Sequence, residues 1–233
     1  MILSERLRAI AQLVPNSHTL ADIGTDHGYI PLYLIQQRRI QHAIAADISP
    51  GSLDKARQLI RQHRLEHCIE TRLGNGLSVL APGEADIILI AGMGGVLIRN
   101  MIDKEEEVAR SAAALILQPM IGQEELRRWL LQNGYRITDE ELVKEGRRIY
   151  EIIVAIPDTN ALAYDNEIFY EIGLKLVEKN HPLLKEWLMK KIKSLDEIIA
   201  QLQRGKTESA AIRMLELKEK RRQYKEVYHW RIK

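Results

Sequence analysis

Short apolar runs alternate with helix-forming segments through the first 132 residues, and few architectures accommodate such alternation. The apolar runs predict strands at 19–23, 43–47, 68–73, 86–90 and 112–117. Helical spacing of apolar residues predicts helices at 3–14, 29–37, 50–63, 96–101 and 124–132. Strands that are separated by helices pair in parallel, so the pattern predicts an α/β domain with a mostly parallel sheet.

The end of this alternating region follows a different pattern. Two further strands are predicted at 135–143 and 147–156, with only Lys144-Glu145-Gly146 between them. A connection this short holds no helix, so the two strands should form an antiparallel hairpin. Five parallel strands followed by such a pair is the order of class I S-adenosylmethionine-dependent methyltransferases. By analogy of fold, residues 1–160 should form a Rossmann-like domain with a mostly parallel seven-stranded sheet and an antiparallel last strand.

Composition excludes several classes of protein. The single cysteine, Cys68, allows no internal disulfide and no cysteine-based zinc site, which indicates a cytoplasmic protein. The seven histidines do not pair with carboxylates at metal-ligand spacing, so no metal is expected. Charges at Glu5, Arg6 and Arg8 interrupt any signal peptide, and no apolar run has the roughly 18 residues that a membrane span needs.

The net charge of +2 conceals two regions of opposite charge. Residues 1–164 contain 18 Lys and Arg against 21 Asp and Glu, whereas residues 165–233 contain 16 against 11. An acidic body with a basic C-terminal part favours an anionic macromolecular partner for the latter.

A glycine turn follows the first strand, as in dinucleotide-binding folds, but its charge is unusual. Gly24 and Gly28 bracket the turn, which carries Asp26, while Asp22 lies on the strand before it. A carboxylate about 4 Å from a phosphate costs roughly 1 kcal/mol in water and about 4 kcal/mol at an effective dielectric near 20. The turn therefore disfavours a phosphate-containing cofactor. The same carboxylates would attract S-adenosyl-L-methionine, whose sulfonium and amino groups are cationic.

Two more positions at strand ends fit a nucleoside cofactor. Asp47 ends the second strand, where a carboxylate can accept hydrogen bonds from both ribose hydroxyls. Asn75 lies between Gly74 and Gly76 after the third strand, where an amide can donate to and accept from an adenine edge. The alternative is structural: the aspartates would cap a helix or end a strand, and the glycines would form a simple turn.

The residues at these strand ends resemble a specific family. The matching motifs are Asp22-Ile23-Gly24-Thr25-Asp26-His27-Gly28-Tyr29, Ala46-Asp47-Ile48, Gly74-Asn75-Gly76-Leu77, Ala91-Gly92-Met93-Gly94-Gly95 and Gln118-Pro119-Met120. Together they resemble the bacterial TrmK family, which methylates N1 of the adenine at position 22 of tRNA. The resemblance covers essentially the whole chain and implies the reaction, the S-adenosyl-L-methionine cofactor and a tRNA partner.

The resemblance and the residue chemistry together give a set of predicted site residues. Cofactor contacts are predicted at Asp22, Gly24, Thr25, Gly28, Asp47, Ile48, Asn75, Gly76 and Gly92. Substrate contacts are predicted at Met93, Gly94, Gly95, Gln118 and Pro119. The glycines after the fourth strand leave the backbone bare for a flat base edge, although a tight turn alone would also explain them.

Asp26 and His27 are the predicted catalytic residues. Methylated adenine is cationic until it loses an N6 proton, so a carboxylate such as Asp26 could hold N6 and stabilise the growing charge. His27 could orient that carboxylate or stack on a base, and its structural alternatives are to cap the helix or to pack under the loop. Cys68 lies within an apolar run and should be a core residue.

Residues 161–233 form the predicted basic extension. Leu188, Ile192, Leu195, Ile199 and Leu202 follow coiled-coil spacing, a reversal is predicted at 205–207 with Thr207 as the N-cap, and a second helix returns. Lys218, Arg221 and Arg222 on the returning helix are predicted to contact tRNA phosphates. A solvated coiled-coil surface or a dimerisation hairpin is the alternative, and the sequence leaves the oligomeric state open while favouring a monomer. A methyltransferase of small metabolites and a non-catalytic RNA-binding protein also stay possible functions.

Overall fold

The computed structural model describes residues 1–203 and 208–231, the last of these by its backbone alone. The chain divides into two compact units, residues 1–163 and residues 164–233. In the described ranges, none of the helices combines the length and the apolar character that a membrane crossing requires.

The first unit contains seven strands. They are β1 (Thr19–Ile23), β2 (His42–Asp47), β3 (Ile69–Leu73), β4 (Ile87–Met93), β5 (Ala114–Pro119), β6 (Tyr135–Glu145) and β7 (Arg148–Pro157). Its helices are α1 (Glu5–Leu13), α2 (Tyr29–Gln36), α3 (Pro50–Gln62), α4 (Gly95–Lys104), α5 (Glu106–Ser111) and α6 (Gln123–Gln132). A short 3-10 helix spans Gly76–Val79. The strands and the longer helices confirm the predicted order, and the two short helices at 76–79 and 106–111 were not predicted.

All seven strands form one sheet in the order β3-β2-β1-β4-β5-β7-β6. The first five strands pair in parallel, and β7 pairs antiparallel with both β5 and β6. This arrangement confirms the predicted class I methyltransferase architecture. The central strands are buried along nearly their whole length, because helices cover both faces of such a sheet.

The carboxyl ends of β1, β2, β4 and β5 carry the candidate site. Two of these ends differ from the prediction, because β4 continues beyond Ile90 to Met93 and β5 includes Gln118 and Pro119. The register shifts between Ala91 and Met93, so Gly92 forms a bulge opposite β5. The bulge lets the pairing continue past the glycine, and the Met120 N–H closes it by donating to the Met93 carbonyl at 2.7 Å.

One buried ion cluster lies between α6 and the hairpin. Arg127 is fully buried and donates to Glu140 at 2.6 Å and to Glu151 at 2.7 Å, and both carboxylates are also buried. Burial would lower the pKa of Arg127, but the attraction of Glu140 and Glu151 outweighs burial and raises it. The cluster therefore holds the guanidinium charged beside two acidic groups of the hairpin.

The second unit consists of four helices in the described range. These are α7 (Ile168–Ile172), α8 (Leu174–Glu178), α9 (Leu184–Leu202) and α10 (Glu208–Arg231). Trp187 of α9 packs edge to face on Tyr224 of α10, with ring centroids 6.1 Å apart. Arg221, which interrupts the apolar stripe of α10, donates to Asp196 of α9 at 2.6 Å. The two long helices therefore pack against each other as predicted, whereas coiled-coil geometry stays a prediction and the predicted reversal at 205–207 lies outside the described residues.

Candidate cofactor and substrate site

The turn after β1 is tied to the neighbouring strand β2. The backbone N–H groups of Gly24 and Thr25 both donate to the carbonyl of Ala46, at 2.8 and 3.0 Å. Gly24 has φ of +77° and Gly28 has φ of +72°, so both positions need the left-handed freedom of glycine. A Cβ on Gly28 would lie 3.3 Å from the Cβ of Ala56, so this glycine also brings the turn close to α3.

Asp22 lies beneath the turn and is 5% exposed. The hydroxyl of Thr25 donates to its Oδ2 at 2.7 Å. Burial raises the pKa of Asp22 to about 6, the hydrogen bond from Thr25 opposes this shift, and the nearby charge of Asp47 adds to it. Asp22 is thus a buried carboxyl group that is ionised at neutral pH at a cost in free energy.

Asp47 lies at the end of β2 with its carboxylate fixed by two backbone groups. Its Oδ1 accepts from the N–H of Ser49 at 2.8 Å, and its Oδ2 accepts from the N–H of Asp26 at 3.3 Å. The two carboxylates of Asp22 and Asp47 repel each other, and a cation between the turn and β2 would relieve that repulsion. The two carboxylates and the glycine backbone therefore fit S-adenosyl-L-methionine better than a phosphate-containing cofactor.

Asp26 and His27 form the exposed rim of the same turn. The side chain of Asp26 is 63% exposed, and its carboxylate lies 3.4 Å from His27 Nε2 and 4.0 Å from Lys55 Nζ. The His27 ring stacks on Tyr29 with centroids 5.0 Å apart. Gly28, rather than either of these residues, is the N-cap of α2. The structural alternative of helix capping therefore does not describe Asp26 or His27, and their catalytic roles stay predictions.

The remaining predicted cofactor residues follow β2 and β3. Ile48 is 67% exposed beside Asp47, so its apolar side chain is available to cover a ligand. Asn75 is exposed and precedes the 3-10 helix that begins at Gly76. Gly76 has φ of +61°, and a Cβ there would lie 3.0 Å from Cγ of Met101. This glycine is thus required by backbone conformation and packing whether or not it also contacts adenine.

The three glycines at the end of β4 differ in whether backbone conformation or packing requires glycine at their position. Gly92 has φ of +80° and needs glycine at the bulge. A Cβ on Gly95 would lie 2.3 Å from the carbonyl oxygen of Gly122, which belongs to the neighbouring backbone. A Cβ on Gly94 would meet its nearest atom, on Ile121, at an ordinary 3.8 Å. The tight turn thus explains Gly92 and Gly95 but leaves Gly94 unexplained.

Met93, Gln118 and Pro119 are predicted to contact the substrate, but their side chains do not form a simple pocket lining. The terminal methyl group of Met93 reaches Gly24, where it lies 2.2 Å from the position that a Cβ would take. Gln118 is fully buried, and its amide nitrogen donates to the carbonyl of Pro119 at 3.0 Å. Its amide oxygen accepts at 2.7 Å from Arg6 of α1, a residue that the sequence did not indicate. Arg6 is only half-buried, so its guanidinium, and not the amide of Gln118, is the group nearer the surface at this strand end.

Substitution of the two adjacent glycines provides a matched test of the substrate role. Gly95→Ala should lower the unfolding free energy by about 1–3 kcal/mol, because the new methyl group meets the backbone of Gly122. Gly94→Ala should leave thermal stability and cofactor affinity unchanged while lowering kcat/KM at least tenfold, because it crowds the bare backbone edge. Melting curves, cofactor titrations and methyl transfer measure these three quantities. Unaltered kcat/KM in Gly94→Ala would remove Gly94 from the substrate surface.

Two of the residues of α10 that are predicted to contact tRNA are engaged in ion pairs at the surface. Arg222 pairs with Glu219 and Glu226 on its own helix, and Arg221 pairs with Asp196. Exposed pairs of this kind contribute only about 0–1 kcal/mol, so a phosphate can replace the carboxylate partner at little cost. Lys218 is half-buried on the same helix. Contact of these residues with tRNA stays a prediction.

Comparison with known proteins agrees with the site. A family model described as a methyltransferase domain matches residues 3–153. The chain is 35% identical over 232 residues to tRNA (adenine(22)-N(1))-methyltransferase of Bacillus subtilis, covering 97% of this chain and 96% of that protein. The crystal structure of the B. subtilis m1A22 tRNA methyltransferase TrmK superposes with a TM-score of 0.87 at 32% identity, covering 97% of this chain and 99% of that one.

A structure of Mycoplasma capricolum TrmK contains the cofactor product S-adenosyl-homocysteine. It matches with a TM-score of 0.80 at 27% identity and covers 98% of this chain and 100% of that one. The fold, the acidic glycine turn and these matches define a class I methyltransferase. Within that class, the chain belongs to the family of bacterial tRNA (adenine(22)-N(1))-methyltransferases.

Proposed function

We propose that the protein transfers a methyl group from S-adenosyl-L-methionine to N1 of adenine 22 in tRNA. The observation that carries the cofactor assignment is the pair of carboxylates, Asp22 and Asp47, at the ends of adjacent parallel strands. The assignment of the substrate is supported by the full-length match to the B. subtilis enzyme. A tRNA substrate would place the enzyme in the cytoplasm.

The reaction needs alignment more than covalent catalysis. Neutral adenine N1 has an in-plane lone pair that can attack a methyl group directly, and the bound cofactor supplies that group as an electrophile on a sulfonium. The lone pair is engaged in a Watson–Crick pair, so the base must be unpaired or flipped, which costs a few kcal/mol. The contribution of this chain is then to hold the base in line, with bare backbone at Gly92 and Gly94 as its platform.

The proposed catalytic group is the carboxylate of Asp26. Methylation makes adenine more acidic at N6, and a carboxylate there can accept the N6 hydrogen bond and stabilise the positive charge. Asp26 is exposed, and its loop conformation, with φ of +49°, is anchored through its backbone N–H by Asp47. His27, 3.4 Å from that carboxylate, is proposed to orient it or to stack on a base beside Tyr29.

Methyl transfer to defined RNA tests the proposal. The protein is incubated with radiolabelled S-adenosyl-L-methionine and unmodified tRNA transcripts, and the modified position is mapped by reverse-transcription stops. We expect label in tRNA and a stop at position 22, with both lost when adenine 22 is changed to guanine. Absence of label from every tRNA would contradict the proposal. Label transfer to a small metabolite instead would favour the alternative methyltransferase, and cofactor binding without any transfer would favour a non-catalytic RNA-binding protein.

The second unit is proposed as the tRNA-contacting arm. Its long helix α10 carries Lys218, Arg221 and Arg222, and contacts of Lys and Arg with phosphates supply much of the affinity for nucleic acid. The domain boundary in this proposal is residues 1–160 for catalysis and 161–233 for RNA binding. No dimer is required for either role, so a monomer is the proposed state.

Neutralising two of the arm residues should alter the salt dependence of tRNA binding. In the Lys218→Gln/Arg222→Gln variant, the slope of log K against log salt should fall by about 0.9 for each lost phosphate contact. The matched control is Arg61→Gln/Arg64→Gln, which removes two charges at the end of α3. We expect the control to keep the slope, and both variants to keep cofactor affinity. Equal slopes for the arm variant and the wild type would leave the arm with a structural role.

A further inference from the structure

Arg6 places a permanent cation at the ends of β4 and β5. It lies in the first turn of α1, and its Nη1 donates to Oε1 of the buried Gln118 at 2.7 Å. Its guanidinium carbon lies 5.5 Å from the centre of the Tyr150 ring. The hydrogen bond and the aromatic face hold the guanidinium in one orientation, so little conformational entropy is lost when it binds a ligand.

The guanidinium borders the surface that Gly92 leaves open. Gly92 is exposed, and a Cβ built on it would point to within 3.9 Å of Nη1 of Arg6. The cation therefore lies next to the bare backbone that is proposed to receive the base. Its position at the ends of β4 and β5 is on the substrate side of the sheet, whereas the carboxylates Asp22 and Asp47 belong to β1 and β2.

Arg6 retains most of its hydrogen-bonding capacity. A guanidinium has five N–H donors, and within residues 1–203 and 208–231 it donates one hydrogen bond, to Gln118. The nearby Glu145 accepts from the backbone N–H of Arg6 at 3.0 Å, and that hydrogen bond is the main reason why the pKa of Glu145 is lowered. Glu145 thus stays ionised, and its negative charge partly offsets the positive charge of Arg6. It accepts from the backbone of Arg6, so the N–H groups of the guanidinium that face outward stay available.

The chemistry of adenine methylation restricts what these donors can bind. A guanidinium has no acceptor for the N6 amino group, and a cation against the reacting edge would oppose the positive charge that forms on the base. A phosphate has the opposite charge and matches the planar fork of arginine. We propose that Arg6 binds a backbone phosphate of the RNA strand that carries the target adenine, an assignment that rests on the proposed function.

The test compares Arg6→Gln with Arg8→Ala in the full-length protein. Gln at position 6 is polar but shorter and uncharged, whereas Arg8 lies on the same helix, is exposed and pairs with Glu5. For Arg6→Gln we expect KM for tRNA to rise about tenfold and the salt slope of tRNA binding to fall by about 0.7–0.9, with unchanged cofactor affinity. Arg6→Lys, which keeps the charge but not the fork, should keep the slope. Arg8→Ala should match the wild type in all three quantities.

The outcomes separate this proposal from the function on which it rests. An Arg6→Gln enzyme with unchanged KM for tRNA and unchanged salt slope would overturn the phosphate role while wild-type methylation of tRNA still stands. Loss of cofactor affinity with unchanged KM for tRNA would also overturn it, because Arg6 would then bind the carboxylate of the cofactor. If the wild-type protein transfers no methyl group to tRNA, the proposed function itself fails. Should Arg6→Gln fold poorly, Arg6→Lys carries the test: without the planar fork its KM for tRNA should rise at an unchanged salt slope, and an unchanged KM would overturn the proposal.

Discussion

Arg127→Met should lower the free energy of unfolding by about 3–5 kcal/mol, a large part of the roughly 5–15 kcal/mol that stabilises most domains. The substitution roughly preserves volume but leaves Glu140 and Glu151 buried without their shared cation. Urea denaturation measures the loss as a lower midpoint at an unchanged m-value.

Two further variants separate charge from packing at Arg127. Arg127→Met/Glu140→Gln/Glu151→Gln removes all three charges and should recover much of the lost stability, since neutral groups bury at lower cost. Arg136→Met is the surface control, because its partner Asp158 is accessible and its own side chain is 54% exposed. The control should lose less than about 1 kcal/mol. A deficit in Arg127→Met no larger than that of the control would show that the cluster contributes little.

This cluster also shows where prediction from sequence ends. Periodicity located α6, and the segment that contains Arg127 has the composition of an ordinary amphipathic helix with an exposed arginine. Its partners are 13 and 24 residues away, in the two strands of the hairpin. Helical spacing carries information about neighbours three and four positions apart, so it cannot show that the arginine faces inward.

The residues of the candidate site also fall into two groups, those that the sequence indicates and those that only the folded chain reveals. The acidic turn and Asp47 follow strands directly, and the rule that parallel strands place their ends together was sufficient to group them. Arg6 reaches Gln118 across 112 positions of sequence, so only the folded chain reveals that pair. Likewise, sequence treats Gly94 and Gly95 alike, and it is the carbonyl of Gly122 that distinguishes them.

Asp22→Asn should make the protein more stable at pH 8 and a poorer binder of its cofactor. The pKa of Asp22 is about 6 in the folded state against 3.8 as its ordinary value. A carboxyl group whose pKa is raised by folding contributes stability below pH 4 and loses it as the pH rises through 6. The difference amounts to about 3 kcal/mol at pH 8, which asparagine avoids because it is neutral. The two proteins should have equal stability near pH 4.

The cofactor response should have the opposite sign. The cationic groups of S-adenosyl-L-methionine gain from an ionised Asp22, so wild-type affinity should weaken as the pH falls through about 6. Asp22→Asn should bind the cofactor about 10- to 100-fold more weakly at pH 8 and should lose this pH dependence. Calorimetric titration at several pH values measures both effects. The Thr25 hydroxyl can still donate to the amide oxygen of asparagine, so the turn itself is retained.

Asp86→Asn is the matched control for Asp22→Asn. Asp86 precedes β4 at its amino end and accepts from the N–H groups of His18 and Thr19, both at 2.8 Å. Its replacement should lower stability slightly, because two charge-assisted hydrogen bonds are weakened. Cofactor affinity should be unchanged, because Asp86 lies at the opposite end of the strands from the site. If Asp22→Asn also loses stability at pH 8, ionised Asp22 does not destabilise the folded protein. Gain of stability together with loss of cofactor affinity would have two meanings. Folding holds the Asp22 carboxylate in an environment that destabilises its charge, and the cationic cofactor compensates for that cost when it binds.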